Sequence, residues 1–231
     1  MDGLAVAIAV AFALLGLGPL AGRRMIGRPF LWLCVLAGAI SGPIAREGAY
    51  LAWEWVSPFG ALYRSAAAAP AQIMLAVGIA ELVKATVPLA LVGVLPTDAP
   101  AALAYGAGAG AGFAAVTTHL EQGLVGALRL VGSPITTPLS TMLAVTGYLF
   151  PVLLHTGTTA YVSRAGVRGG LGGAFLLAWV LQVAAGLAGR LPLVAGVPVG
   201  RALGAALGVV LIVVLWRARL RAESATAALA D

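Results

Sequence analysis

The stretch AQIMLAVGIAELVKATVPLALVGVL, residues 71–95, places a carboxylate and an ammonium in the middle of a long apolar run. A helix of this length crosses the ~30 Å hydrocarbon core of a bilayer. A charge at that depth costs about 2.5–3.5 kcal/mol on insertion scales. Glu81 and Lys84 are three residues apart, so they are neighbours on one helix face. The stretch predicts a transmembrane helix that carries a polar site.

The composition of the whole chain indicates that its solvent is the bilayer. Hydrophobic residues make up 61% and charged residues 10% of the 231 residues, and the mean hydropathy is +1.02. Soluble domains carry about 25% charged residues, so this chain could not cover a surface in water. The net charge of +6 is not a nucleic-acid signal, because the arginines fall at the ends of apolar runs. We expect the lipid bilayer, and no nucleic acid, as a partner.

Apolar runs of about 20 residues recur along the chain and predict an all-α transmembrane bundle of about seven spans, with six to eight allowed. The predicted spans are 4–20, 29–44, 70–95, 99–118, 138–162, 171–187 and 199–216. A barrel would need alternating strands of about ten residues, which the sequence does not show. We expect one membrane domain over 1–222, an interfacial amphipathic segment rich in Trp and Tyr at 46–69, and a disordered tail at 223–231.

Arginine placement predicts the orientation of this bundle. In the seven-span arrangement one side holds Arg23, Arg24, Arg28, Arg164, Arg168, Arg217, Arg219 and Arg221. The other side holds Arg46, Arg64, Arg129, Arg190 and Arg201. The positive-inside rule then places the C-terminus in the cytoplasm and the N-terminus outside, in a multi-pass protein of the cell membrane.

The fourth predicted span has glycine at every second position in YGAGAGAGFAAVTTH, residues 105–119. Helical spacing puts Gly106 and Gly110 on one face, and Gly108 and Gly112 on the next. Small residues four apart predict close helix packing, here against span three or span five. A soluble nucleotide-binding glycine loop is excluded, because no strand precedes these residues and no ribose-binding acid follows them.

Several further polar residues fall within or next to predicted spans. Besides Glu81 and Lys84, they are Thr117, Thr118, His119, His155 and Gln182. In one interpretation, the ion pair neutralises itself, while His155 and Gln182 hydrogen-bond between helices. In another, Glu81 and His155 lie on facing helices and activate a water for general base catalysis. The single cysteine, Cys34, excludes an intramolecular disulfide, and we expect no metal and no cofactor.

The order of these motifs resembles the PrsW and YhfC branch of the glutamic-type intramembrane proteases, relatives of the CAAX prenyl endopeptidases. That family carries E-E-x-x-K or E-E-x-x-R, then a glycine-rich G-x-G-F-A-x-x-E, a segment like H-A-L-x-T, and a second His on successive spans. The similar segments here are A-E-L-V-K at 80–84, G-A-G-F-A-A-V-T at 110–117, H-T-G-T-T at 155–159 and A-F-L-L-A-W-V-L-Q at 174–182. Order and spacing agree over about residues 70 to 190.

The resemblance implies an intramembrane endopeptidase with a helical fold. Glu81 takes the position of the family's second Glu, Lys84 the basic position and His155 that of the first later His. The family's remaining polar positions differ in this chain. Ala80 replaces the first Glu, which activates water in the family, Thr117 replaces the acid of the glycine-rich span, and Gln182 replaces the last His.

Three functions therefore stay open. The first is an endopeptidase in which Glu81 is the base and His155 polarises the scissile carbonyl. The second is a catalytically inactive scaffold of the same fold that binds a membrane partner. The third is a small transporter or channel in which Glu81, Lys84 and His155 line a path for protons or an anion.

Overall fold

The computed structural model describes residues 2–56, 68–120, 138–188 and 199–228. These residues form seven α-helices and contain no strand. The helices are α1 (Asp2–Ile26), α2 (Pro29–Val56), α3 (Ala68–Val94), α4 (Ala99–Leu120), α5 (Pro138–Arg168), α6 (Leu171–Ala188) and α7 (Val199–Ala228). The predicted all-α fold is confirmed for this part of the chain.

Four of the described helices are long and apolar enough to cross a membrane. They cover Pro29–Val56, Pro70–Val94, Ala99–Thr117 and Leu171–Ala188. The chain is therefore a membrane protein with transmembrane helices, as its composition predicts. The number of such helices is smaller than the seven spans expected from the sequence.

Helices α2 and α7 extend further than the sequence suggested. We expected the second span to end near residue 44 and an interfacial segment to follow, but α2 continues to Val56. The reason is that no proline interrupts residues 44–56, and Ala45 and Trp53 continue the buried face of the helix. Similarly, α7 continues to Ala228, so most of the expected disordered tail is helical. The alanine-rich end of α7 has high intrinsic helix propensity.

Helix α4 lies in the middle of the bundle. Every residue from 102 to 114 is buried, and α4 packs against α1, α2, α3 and α5. Alanine and glycine dominate this segment, so neighbouring helices come close on several sides. A helix without long side chains is well suited to this position, because the packing of small residues stabilises helix association in a bilayer.

One glycine face of α4 contacts α5. A Cβ atom on Gly106 would overlap the carbonyl oxygen of Thr159, and a Cβ on Gly110 would overlap that of His155. The two backbones therefore touch at these positions. The order of the contacts, with the higher-numbered glycine beside the lower-numbered α5 residue, also shows that α4 and α5 are antiparallel.

The other glycine face of α4 contacts α2, a partner that the sequence did not predict. A Cβ on Gly112 would overlap the carbonyl oxygen of Val35, and Gly108 lies against Leu31. The expected alternative partner was α3. Helix α2 takes that place because it contributes a glycine of its own: a Cβ on Gly38 would overlap the backbone of α4.

Contacts between the helices define two ends of the bundle. Helices α3 and α5 are parallel, because Glu81 lies beside Thr158 whereas Leu89 lies beside Gly166. Equivalent contacts show that α1 and α7 run in the same direction as α5, and that α6 runs opposite to α3. The C-terminal ends of α1, α3, α5 and α7 therefore lie at one end of the bundle, hereafter the basic end. The N-terminus of α1 lies at the other.

Candidate functional site

Five polar side chains from three helices meet inside the bundle. They are Glu81 and Lys84 of α3, His155 and Thr158 of α5, and Gln182 of α6. Each pair from one helix is three residues apart and so shares a helix face. The group is hereafter the polar cluster. It brings together four of the site residues expected from the sequence.

Lys84 occupies the centre of the polar cluster. Its ammonium forms an ion pair with Oε1 of Glu81, lies 2.9 Å from Nδ1 of His155 and lies 3.5 Å from Oγ1 of Thr158. An ammonium has three protons to donate, and three acceptors surround this one. The side chain is only 1% exposed, so these acceptors take the place of its hydration shell.

The contacts of His155 define its tautomer. Nδ1 lies 2.9 Å from the Lys84 ammonium and 2.9 Å from Nε2 of Gln182. Because an ammonium can only donate, Nδ1 accepts, and the ring proton of the neutral imidazole is on Nε2. The ring also packs against Phe113 of α4, with centroids 4.9 Å apart. Phe113 faces the cation as well, since Nζ of Lys84 lies 5.4 Å from its ring centroid.

The two carboxylate oxygens of Glu81 differ in their surroundings. Oε1 accepts from Lys84 and, at 3.5 Å, from Thr158. Oε2 is buried and has no hydrogen-bond partner among the described residues. Buried polar oxygens are rarely left unpartnered in proteins, and a bound water commonly fills such a position. Glu81 therefore presents one anchored oxygen and one oxygen available to a small polar molecule.

Thr158 links the members of the polar cluster. Its hydroxyl accepts from Nε2 of Gln182 at 2.9 Å and lies within 3.5 Å of both Lys84 and Glu81. Thr158 is not among the site residues expected from the sequence. The signal that could have identified it is its spacing: Thr158 follows His155 by three residues and therefore lies on the same face of α5.

Thr117 does not belong to the polar cluster, contrary to expectation. Its hydroxyl donates to the carbonyl oxygen of Phe113 in its own helix, at 2.9 Å, and its methyl group packs against Gly42 of α2. The reason is its position along the helix axis. Gly110 is level with His155, so Thr117 lies about 10 Å further along α4.

The remaining expected site residues divide into two groups. The side chains of Thr118 and His119 lie outside the described residues. The glycines of α4 touch no charged group of the polar cluster, but Gly110 contacts the backbone of His155. That contact brings Phe113, which is not among the expected site residues either, against the imidazole. Among the described residues, no three His, Cys, Asp or Glu side chains are grouped so as to hold a metal ion.

The chain matches no protein-family model, and no curated protein or solved structure matches it either. A function for the polar cluster therefore has to follow from its own chemistry.

Proposed function

We propose that this protein is an intramembrane endopeptidase of the glutamic type, which cleaves a membrane substrate with a water activated by Glu81. The observation that carries the proposal is the asymmetry of the Glu81 carboxylate. Oε1 is held by Lys84, and Oε2 is buried without a hydrogen-bond partner among the described residues. A carboxylate fixed through one oxygen and available through the other suits a general base, which must hold a water at hydrogen-bond distance.

The proposed peptide hydrolysis uses the two groups that contact Lys84, the carboxylate of Glu81 and the imidazole of His155. Oε2 of Glu81 removes a proton from the water, and the resulting hydroxide attacks the carbonyl carbon of the scissile peptide. The negative charge that develops on the carbonyl oxygen is stabilised by the proton on Nε2 of His155. The carboxylic acid of Glu81 then returns its proton to the leaving amine. The peptide bond is hydrolysed and both side chains recover their starting state.

Lys84 is a positioning residue in this mechanism. It touches both Glu81 and His155, so it fixes the separation between the base and the oxyanion donor. Gln182 contacts the same Nδ1 of His155 and donates to Thr158, so it also helps to hold the imidazole in place. Such preorganisation is a large part of catalysis, because the groups need not reorient when the transition state forms.

The experiment compares new peptide amino termini in membranes of cells that produce wild-type protein or the Glu81→Gln variant. Removing a general base lowers the rate by about 10²–10⁴-fold, so cleavage products should disappear. His155→Ala should lower cleavage as well, and the double variant should be no worse than the more impaired single variant. Thr117→Val is a matched control that should cleave like wild type, since Thr117 lies outside the polar cluster. Equal cleavage by wild type and Glu81→Gln would refute the proposal.

A catalytically inactive scaffold is the second candidate, and a different observation favours it. All three protons of Lys84 have acceptors, and Glu81 and Lys84 are each 1% exposed. Glu81 and Lys84 are thus closed to bulk water in this conformation. A scaffold would leave amino termini unchanged in every variant, while the double variant Glu81→Gln with Lys84→Met, which keeps no unpaired buried charge, would still co-purify with the same partner as wild type.

We infer that α1, α5 and α7 also span the membrane and that the basic end faces the cytoplasm of the cell. The arrangement of the helices supports this orientation, because the arginines at the ends of α1, α5 and α7 all lie at that end. The C-terminus is then cytoplasmic and the N-terminus external. Alkaline phosphatase fused to the N-terminus should be active and the same enzyme fused to the C-terminus inactive; the reverse result would invert the orientation.

A further inference from the structure

Helix α4 places one large side chain against the polar cluster. Residues 106–115 read GAGAGAGFAA, so Phe113 is the only residue of that stretch larger than alanine, and it is buried. Gly110 lies three residues earlier on the same face of α4 and touches the backbone of His155. Side chains on a helix lean towards its N-terminus. The ring of Phe113 therefore reaches back to the level of His155.

The ring of Phe113 contacts two members of the polar cluster at once. Nζ of Lys84 lies over the ring, 5.4 Å from its centroid, and cations within about 6 Å of a ring centroid are attracted to its face. The imidazole of His155 packs against the same ring, with centroids 4.9 Å apart and the planes tilted by 58°. Aromatic pairs favour such a tilted arrangement. Phe113 thus contacts both the ammonium and the oxyanion donor of the proposed mechanism.

Filling of space alone would not require an aromatic residue at this position. An aliphatic side chain can also fill a gap between helices, but an aromatic ring presents a negative face to a cation. The three acceptors around Lys84 bind its protons, whereas the ring acts on its net charge. This attraction is strongest where water is excluded, and Lys84 is fully buried. The ring therefore adds a favourable interaction that the hydrogen bonds do not supply.

We propose that Phe113 is a positioning residue, whose ring holds the Lys84 ammonium between Glu81 and His155 through a cation–π interaction. Its role in catalysis rests on the proposed function and concerns one step of the hydrolysis. When Glu81 takes a proton from the water, it loses the charge that attracts Lys84. The new negative charge develops beside Nε2 of His155, whereas Lys84 contacts Nδ1. The attraction of the Phe113 ring for positive charge is unchanged in this step, so the ammonium stays in place.

The test replaces Phe113 with mono-, di- and trifluorophenylalanine in the full-length protein. Fluorine withdraws electron density from the ring and weakens its attraction for a cation, while the shape of the ring changes little. The unfolding equilibrium constant in micelles should rise stepwise, by about tenfold to thirtyfold for trifluorophenylalanine. The same series in the variant Glu81→Gln with Lys84→Met should change that constant by less than about twofold, because no cation then faces the ring.

Phe175 of α6 is the matched control, because it lies in an apolar groove with Met74, Leu82 and Trp179. The fluorinated series at position 175 should leave the unfolding equilibrium constant unchanged. Cleavage gives the second readout. At equal protein levels, the rate at which new amino termini form should fall stepwise with fluorination of Phe113, by about tenfold for trifluorophenylalanine, because a small displacement of the catalytic groups slows the reaction.

Two results would overturn the cation–π interaction: unfolding that does not depend on the number of fluorine atoms at position 113, or an equal dependence in the variant without Lys84. A stepwise loss of stability with unchanged cleavage would overturn the role in catalysis. If wild type forms no amino termini that depend on Glu81, the proposed function fails and the role in catalysis fails with it. The unfolding series distinguishes that failure from the loss of the contact, since it measures the interaction of Phe113 with Lys84 without any cleavage.

Discussion

The ammonium of Lys84 and Nδ1 of His155 lie 2.9 Å apart, although 71 positions separate the two residues in the chain. The same ammonium forms the ion pair with Glu81. The charge pair and the imidazole are consequently one unit, in which a change at any member alters the other two. Variants of the polar cluster therefore have to be compared in pairs, so that a loss of function can be separated from a loss of folding.

Removal of the Glu81 charge should destabilise the protein. Glu81→Gln keeps the shape of the side chain but leaves Lys84 buried without its counter-ion, and breaking a buried pair in this way costs about 3–5 kcal/mol. The double variant Glu81→Gln with Lys84→Met removes both charges and should recover most of that loss. The measurement is the free energy of unfolding in detergent. Equal stability of the single and double variants would show that the pair is not buried as described.

The double variant also distinguishes folding from catalysis. It is expected to be stable, yet it lacks the carboxylate that the proposed hydrolysis needs. Stable protein with no cleavage shows that activity is lost without a loss of folding, and so supports a catalytic role for the Glu81–Lys84 pair. Stable protein that cleaves like wild type would mean that Glu81 serves only as the counter-ion of Lys84.

The tautomer of His155 can be observed directly. Because Lys84 donates to Nδ1, the ¹⁵N spectrum of labelled protein should show a ring proton on Nε2 and an unprotonated Nδ1. Gln182→Leu removes the other donor to Nδ1 but leaves Lys84, so the tautomer should persist. A proton on Nδ1 of the wild type would contradict both the described contact and the role of His155 as an oxyanion donor.

The sequence predicted the helices that carry the polar cluster better than it predicted which side chains belong to the cluster. Apolar run length predicted helices at α3, α5 and α6, and the spacing of Glu81 and Lys84 predicted that they share a face. The meeting of His155 and Gln182 with that face was one interpretation, drawn from their polarity within apolar runs and from the order of the family-like motifs, since periodicity within one helix carries no information about its neighbours. The prediction that Thr117 belongs to the polar cluster was wrong for the same reason. Its distance from His155 depends on the position of α4 along the axis of α5, and the glycine contacts determine that position.

The backbone contact at Gly110 should tolerate no side chain. A Cβ there would overlap the carbonyl oxygen of His155, so Gly110→Ala must push α4 away from α5 at a cost of about 1–3 kcal/mol. Gly93→Ala is the matched control within α3, because nothing lies within 4 Å of the added Cβ. It should be neutral or stabilise the helix by up to about 1 kcal/mol. Unfolding midpoints that fall equally for the two variants would show that the loss is not due to helix contact.

A carboxylate at position 80 should not replace Glu81. The family resemblance implies that the water-activating Glu belongs at residue 80, where this chain has Ala80. Adjacent residues on a helix point about 100° apart, and Glu81 is the one that reaches Thr158 and Lys84. A Glu at position 80 lies one turn before Lys84 and competes for its ammonium, but the proposed water remains beside position 81.

Ala80→Glu combined with Glu81→Gln should therefore stay as inactive as Glu81→Gln alone, about 10²–10⁴-fold below wild type. The check is the yield of new amino termini from the two variants, with matched protein levels in the membrane. If the added carboxylate restores cleavage, the base acts from position 80, and Glu81 is the partner that holds Lys84 in place.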